Sequence, residues 1–120
     1  MSLKLIFICG PYRARQEADV RQNIRRAEDM CYRVWRLDGA MAFCPHTNTA
    51  FMGGDLDEKL LEGDHQIMKL CDAVMLISGW EDSEGSRTEV ALAERLGIPR
   101  FSMIIELEEW LKPRSDLLEQ

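Results

Sequence analysis

The sequence predicts a single three-layer α/β domain, with a parallel sheet of four or five strands and helices on both faces. Three observations predict it. Short apolar runs alternate with helix-length amphipathic stretches along the chain, the order expected of strands joined by helical crossovers. Val74–Ile77 is apolar without alternation, as in a strand covered on both faces. No linker, repeat or low-complexity segment divides the 120 residues, a length that suits one domain with a real core.

The elements run in order along the chain. Leu3–Cys9 reads as the first strand, and Gly10-Pro11-Tyr12-Arg13 as the turn that ends it. Glu17–Leu37 reads as a long helix, because Val20, Ile24, Ala27, Met30, Cys31, Val34 and Trp35 or Leu37 recur at helical spacing between charges. Trp35 and the helical methionines are read as core, and Gly39 as the stop. Met41–Cys44 is a short second strand, followed by the loop Pro45-His46-Thr47-Asn48-Thr49 and the pair Gly53-Gly54. Asp55–Leu70 is the second helix, with Leu56, Leu60, Leu61, Ile67, Met68 and Leu70 turned inward. Ala73–Ser78 is the third strand, and Asp72 before it is read as structural. A third helix runs over Glu84–Leu96, capped by Asp82 or Ser83 and closed by Gly97 ahead of Pro99. Arg100–Ile104 is the fourth strand, Ile105–Leu111 a last short helix, and a polar tail comes after it.

Composition narrows the function. A hydrophobic content of 46% and a charged content of 30% are ordinary for a soluble globular protein. The longest apolar runs fall far short of a membrane span, and Lys4 interrupts the only amino-terminal one, so neither a membrane nor a secretory signal is expected. A formal net charge of −6 argues against nucleic-acid polymers as partners, but leaves room for one mononucleotide. Cys9, Cys31, Cys44 and Cys71 have no paired ligand spacing. They read as buried free thiols of a reducing cytoplasm, with no metal site.

The region beyond the third strand is the most informative. Ligands of open α/β sheets bind in the crevice past the carboxyl ends of the strands. Glu89 lies about one turn into the helix after this loop, near enough to its amino end to point back at the crevice. Taken alone, Glu89 and Asp64 could equally be solvated surface acids. His46 comes after a proline at a strand end, where pocket residues gather, or simply makes a local hydrogen bond. Trp80 stacks on a ligand base or caps the core edge. His65 is read as exposed.

Four segments together resemble a known group. They are Cys9-Gly10-Pro11-Tyr12-Arg13, Pro45-His46, Asp64 ahead of Cys71-Asp72-Ala73-Val74, and Asp82-Ser83-x-Gly85-x-x-x-Glu89. The chain resembles the nucleoside 2-deoxyribosyltransferase-like superfamily, which includes the 2'-deoxynucleoside 5'-monophosphate N-glycosidases. Within it, the chain resembles a small bacterial and phage branch whose members mostly lack an assigned reaction. The resemblance implies a flavodoxin- or Rossmann-like sheet and a glutamate nucleophile at the position of Glu89. It implies that Asp64 activates the leaving base or positions the sugar. Arg13, Ser83 and Gly85 match phosphate or sugar contacts, with Gly10, Tyr12, His46 and Trp80 around the same pocket. It further implies a homo-oligomer, dimer or tetramer, and no cofactor. One position departs from the pattern. A strand-one tyrosine that usually orients the glutamate is Phe7 here, and Tyr12 is the alternative source of a hydroxyl.

These roles agree with the chemistry. A glycosidic carbon with oxocarbenium character needs an anion beside it, and a carboxylate can trap it covalently. Backbone N–H groups at a helix start, with an arginine opposite, form an anion site. The expected function is cleavage or transfer at the N-glycosidic bond of a (deoxy)nucleoside or its 5'-monophosphate. The alternative is a non-catalytic nucleotide-binding or interaction module on the same scaffold. A flavin-binding electron carrier fits less well, because the first turn lacks a Ser/Thr-rich phosphate loop.

Overall fold

The computed structural model of the chain describes residues 2–113. Its four strands are β1 (Lys4–Cys9), β2 (Ala40–Phe43), β3 (Ala73–Leu76) and β4 (Arg100–Phe101). All pair in parallel, in the order β2-β1-β3-β4. The helices are α1 (Glu17–Trp35), α2 (Pro45–Asn48), α3 (Asp57–Met68), α4 (Glu84–Leu96) and α5 (Ile104–Leu111). Short 3-10 turns cover Gly54–Leu56 and Trp80–Asp82. This is the α/β class expected, with four strands. Among the described residues no helix is long and apolar enough to cross a membrane.

The two faces of the sheet build two cores. Successive residues of a strand point to opposite faces. Ile6 and Ile8 of β1 therefore join Ala27 and Val34 of α1 and Leu107 of α5 on one side. Phe7 and Cys9 join Met68 of α3 and Leu92 and Ala93 of α4 on the other. All four β1 residues from Ile6 to Cys9 are fully buried, which is why the run shows no alternation. Each large side chain so buried contributes roughly 1.5–3 kcal/mol.

Winding direction changes between β1 and β3. The α1 crossover carries the chain from β1 to β2 over one face, and α3 carries it back past β1 to β3 over the other. That change opens the crevice between the two central strands. Their pairing is tied at both ends. At one, the Asp72 carboxylate accepts from the Leu5 amide at 2.8 Å, and the Leu5 carbonyl accepts from the Asp72 amide. At the other, the Ile77 amide donates to the Cys9 carbonyl at 2.8 Å. The chain then turns at Gly10 so closely that a Cβ there would lie 2.7 Å from the Ile77 Cβ.

Several expectations need correction. The four-residue helix α2 replaces an expected loop; Cys44 leads it and Pro45 takes its first turn, where a proline costs no hydrogen bond. The fourth strand is two residues long rather than five, because Ile104 already begins α5. Trp35 is 52% exposed, since Val34 and Leu37 take the inward positions at that end of α1. Leu56, Leu61 and Leu70 are exposed too, and Met68 is the buried residue of α3. The helix lies along the crevice rather than flat on the sheet core, so part of its apolar face is left open. The expected polar tail lies outside the described residues from 114 onward.

Close approach at Gly10 carries a test. Gly10→Ala should lower unfolding stability by about 1–3 kcal/mol, because the new methyl overlaps Ile77. Gly63→Ala, with open space at its Cβ position inside α3, should instead stabilise by about 0.5–1 kcal/mol. Urea denaturation of both variants checks the pair of signs.

Candidate active site

Beyond the carboxyl ends of β1 and β3 lies a cavity of about 560 Å³, a size within the roughly 300–1,000 Å³ of small-molecule pockets. Three groups of sequence-predicted residues meet on its wall. The loop after β1 supplies Gly10, Tyr12 and Arg13, while α2 and α3 supply His46 and Asp64. The loop after β3 and the start of α4 supply Ser83, Gly85 and Glu89. Trp80 is not among the lining residues; its ring packs against the core that holds Phe7 and Val74. His65, expected to be exposed, is half-buried and lines the cavity.

The start of α4 is built locally. Ser83 has extended backbone, and its hydroxyl accepts from the Ser86 amide at 3.2 Å, an N-cap. Helical geometry then carries Glu89 to the side facing the cavity, half-buried, where its Oε1 lies 3.3 Å from the Cys9 thiol. The thiol is the donor. Burial and the Glu89 charge push the Cys9 thiol far above its ordinary range, so it keeps its proton. Burial, with the Asp64 charge adding to it, raises the Glu89 carboxyl from its ordinary 4.5 to about 7, while the Cys9 hydrogen bond and the nearby His46 pull the other way. Asp64 is also raised by burial, against the opposing influence of His65 and His46. Two carboxyl groups thus share one cavity, each less acidic than in water.

Around this pair the other side chains are already engaged. His46 Nε2 lies 3.0 Å from the Gly10 carbonyl oxygen and 2.9 Å from that of Pro11. Carbonyls only accept, so Nε2 carries the proton. Its Nδ1 is buried without a hydrogen-bond partner among the described residues, as is the Ser86 hydroxyl. The Tyr12 hydroxyl accepts from the Phe51 amide at 2.9 Å and so braces the neighbouring loop. Arg13 Nη2 lies 2.9 Å from Asp57 Oδ2.

Phe7 is wholly buried, with its ring 5.9 Å from that of Phe43. The group in contact with Glu89 from β1 is therefore Cys9, two residues further along the same face. That contact was legible in part: Cys9 ends the first strand, shares a face with Phe7 and directly precedes the Gly10-Pro11 break. Asp57 and the cavity-lining Leu60 and Leu61 carried no separable signal within a charged amphipathic helix.

The profile of a domain of unknown function, DUF7768, matches residues 4–103. The chain belongs to that family. No curated protein matches it. Among solved structures, this DUF7768 chain is similar in fold to the 2-deoxyribosyltransferase of the psychrotolerant bacterium Bacillus psychrosaccharolyticus. The TM-score is 0.56 at 19% sequence identity, covering 80% of this chain and 69% of the other. At that identity the likeness is one of fold.

The buried carboxyl predicts how stability depends on pH. A pKa raised in the folded state favours folding while the group is protonated; the benefit is complete below pH 4.5 and is lost as pH rises through about 7. Glu89→Gln, which never ionises, should therefore gain about 2 kcal/mol on the native chain between pH 5 and pH 8. Chemical denaturation at the two pH values measures it. Cys9→Ala removes a donor to the ionised carboxylate and should raise the Glu89 midpoint by up to about one pH unit. Cys9→Ser should restore it, as read by carbon NMR titration of the Glu89 carboxyl.

Proposed function

We propose that this DUF7768 protein acts at the N-glycosidic bond of a deoxynucleoside, cleaving it or transferring the sugar to another base, with Glu89 as nucleophile. The observation that carries the proposal is the half-buried Glu89 carboxyl beside Asp64 in a cavity at the switch in sheet winding, held by a thiol from β1. The fold likeness to a 2-deoxyribosyltransferase supports it.

The chemistry balances with this chain's own groups. Glu89 donates an electron pair to the anomeric carbon as the bond from carbon to base nitrogen breaks, and that bond's electrons leave with the base. Asp64, whose pKa burial raises, is the general acid that delivers a proton to the departing nitrogen. The product is a glycosyl ester on Glu89. Water or a second base then attacks the same carbon, surrenders a proton to Asp64 and frees the Glu89 carboxylate. Leu60 and Leu61 supply an apolar wall for the base. Ser83 and Thr88, which line the same cavity, carry hydroxyls suited to a sugar.

The position of Phe7 favours a second reading, a nucleoside-binding module without turnover. Phe7 lies in the core and the Tyr12 hydroxyl accepts from Phe51, so neither residue has a hydrogen bond to Glu89 among the described residues. Release of free base separates the two readings.

Incubation with the four common deoxynucleosides and their monophosphates, followed by chromatography, should show base release from at least one of them. Glu89→Gln should lower that rate about a thousandfold or more while ligand binding persists. Because Glu89 must be ionised while Asp64 keeps a proton, kcat/KM should pass through a maximum in pH rather than rise to a plateau. A wild-type rate in Glu89→Gln would exclude the carboxylate mechanism, and binding without any base release would favour the module.

A further inference from the structure

We propose that Asp57 makes this cavity selective for deoxynucleosides that carry no 5'-phosphate. The inference rests on the reading of the cavity as a glycosyl site, and it narrows the substrate class of that site.

Charge around the cavity is lopsided. Five carboxyl side chains line it, those of Asp57, Asp64, Asp82, Glu84 and Glu89, against a single guanidinium, that of Arg13. Arg13 is the residue a phosphate would use, and it is already committed to Asp57 at 2.9 Å. Its side chain is 67% exposed and that of Asp57 37% exposed. An ion pair so placed contributes little to stability. Its consequence is local, since it engages the one guanidinium that an anion entering this cavity could meet.

Two of the backbone donors that could hold a phosphate are also engaged. At the amino end of α4, the Ser86 amide donates to the Ser83 hydroxyl and the Arg87 amide to the Ser83 carbonyl. Asp82 and Glu84 flank that end with negative charge, which already answers the helix dipole. The His46 Nε2 proton is directed at the Gly10 and Pro11 carbonyls. A phosphate dianion would have to displace Asp57 from Arg13 and then lie among uncompensated carboxylates. Like charges brought together in this way are a strong basis for rejecting a partner.

An uncharged nucleoside meets no such opposition. Ser83 and Thr88, whose side chains carry hydroxyls, lie among the residues that line the cavity. Hydroxyls are uncharged and match sugar hydroxyls rather than a dianion.

The test is equilibrium binding at pH 7 in the Glu89→Gln background, where turnover does not interfere. Isothermal calorimetry with deoxyadenosine and its 5'-monophosphate, and with the matching pairs for the other three bases, gives an affinity ratio for each base. Any nucleoside that binds should bind about tenfold or more tighter than its monophosphate, with the gap narrowing at high salt. Asp57→Asn should move the ratio toward the monophosphate by about tenfold, and adding Arg13→Ala should reverse that move. Asp57→Ala, checked for an unchanged melting curve, guards against a local effect of the asparagine and should move the ratio the same way. A monophosphate that binds tighter than its nucleoside, or a ratio that neither Asp57 variant moves, overturns the inference while leaving the glycosyl site standing. If no nucleoside and no monophosphate binds at all, the glycosyl reading falls and takes this inference with it.

Discussion

Side-by-side parallel pairing of β1 with β3 is the constraint on which the rest of this structure depends. Cys9 is in register with Leu76, so the two strands finish at the same level and their loops leave the same edge of the sheet. One loop must then form one wall of the crevice and the other loop the opposite wall. The contact is tight, since the amide of Ile77 bonds the carbonyl of Cys9 and only a glycine fits at position 10. The segment after each strand inherits that placement: Tyr12 and Arg13 on one side, the Ser83 cap and the first turns of α4 on the other.

A carboxyl group at that meeting point has a cost that a surface glutamate lacks. Burial beside a second carboxyl holds Glu89 toward its neutral form near pH 7, and the surrounding groups moderate the effect without cancelling it. The fold meets this cost with two well-filled apolar layers. Side chains from Ile6 to Cys9 are wholly buried between them.

The identity of the group from β1 that touches Glu89 illustrates how strand geometry reassigns chemistry. Residues two apart on a strand share a face. Phe7 and Cys9 therefore both look toward α3 and α4, but only the one at the strand end reaches Glu89. Phe7 lies deeper, against Phe43, and a weak thiol donor is the group from β1 that meets Glu89. The same depth rule separates Trp80, whose ring rests on the core, from Ser83 three residues later, which opens α4 on the cavity.

The sequence by itself determined the order of the strands and main helices, the parallel class of the sheet, a cap at Asp82 or Ser83 and the span of α4. These rest on periodicity, capping and breaker residues, which act over a few positions of chain. It also placed Glu89 beyond the carboxyl end of a central strand, because a strand, a loop and a helix turn leave little freedom in between. Tertiary structure alone decided the facing of α3, whose leucines border a cavity instead of a core, and the exposure of Trp35 and half-burial of His65. It alone joined Arg13 to Asp57, 44 residues apart in the chain, and the Cys9 thiol to Glu89, 80 residues away. Amphipathic spacing says that a helix has an apolar side, but not what that side meets. The partner of a charge or a thiol depends on which strands end side by side, and pairing across the sheet settles that.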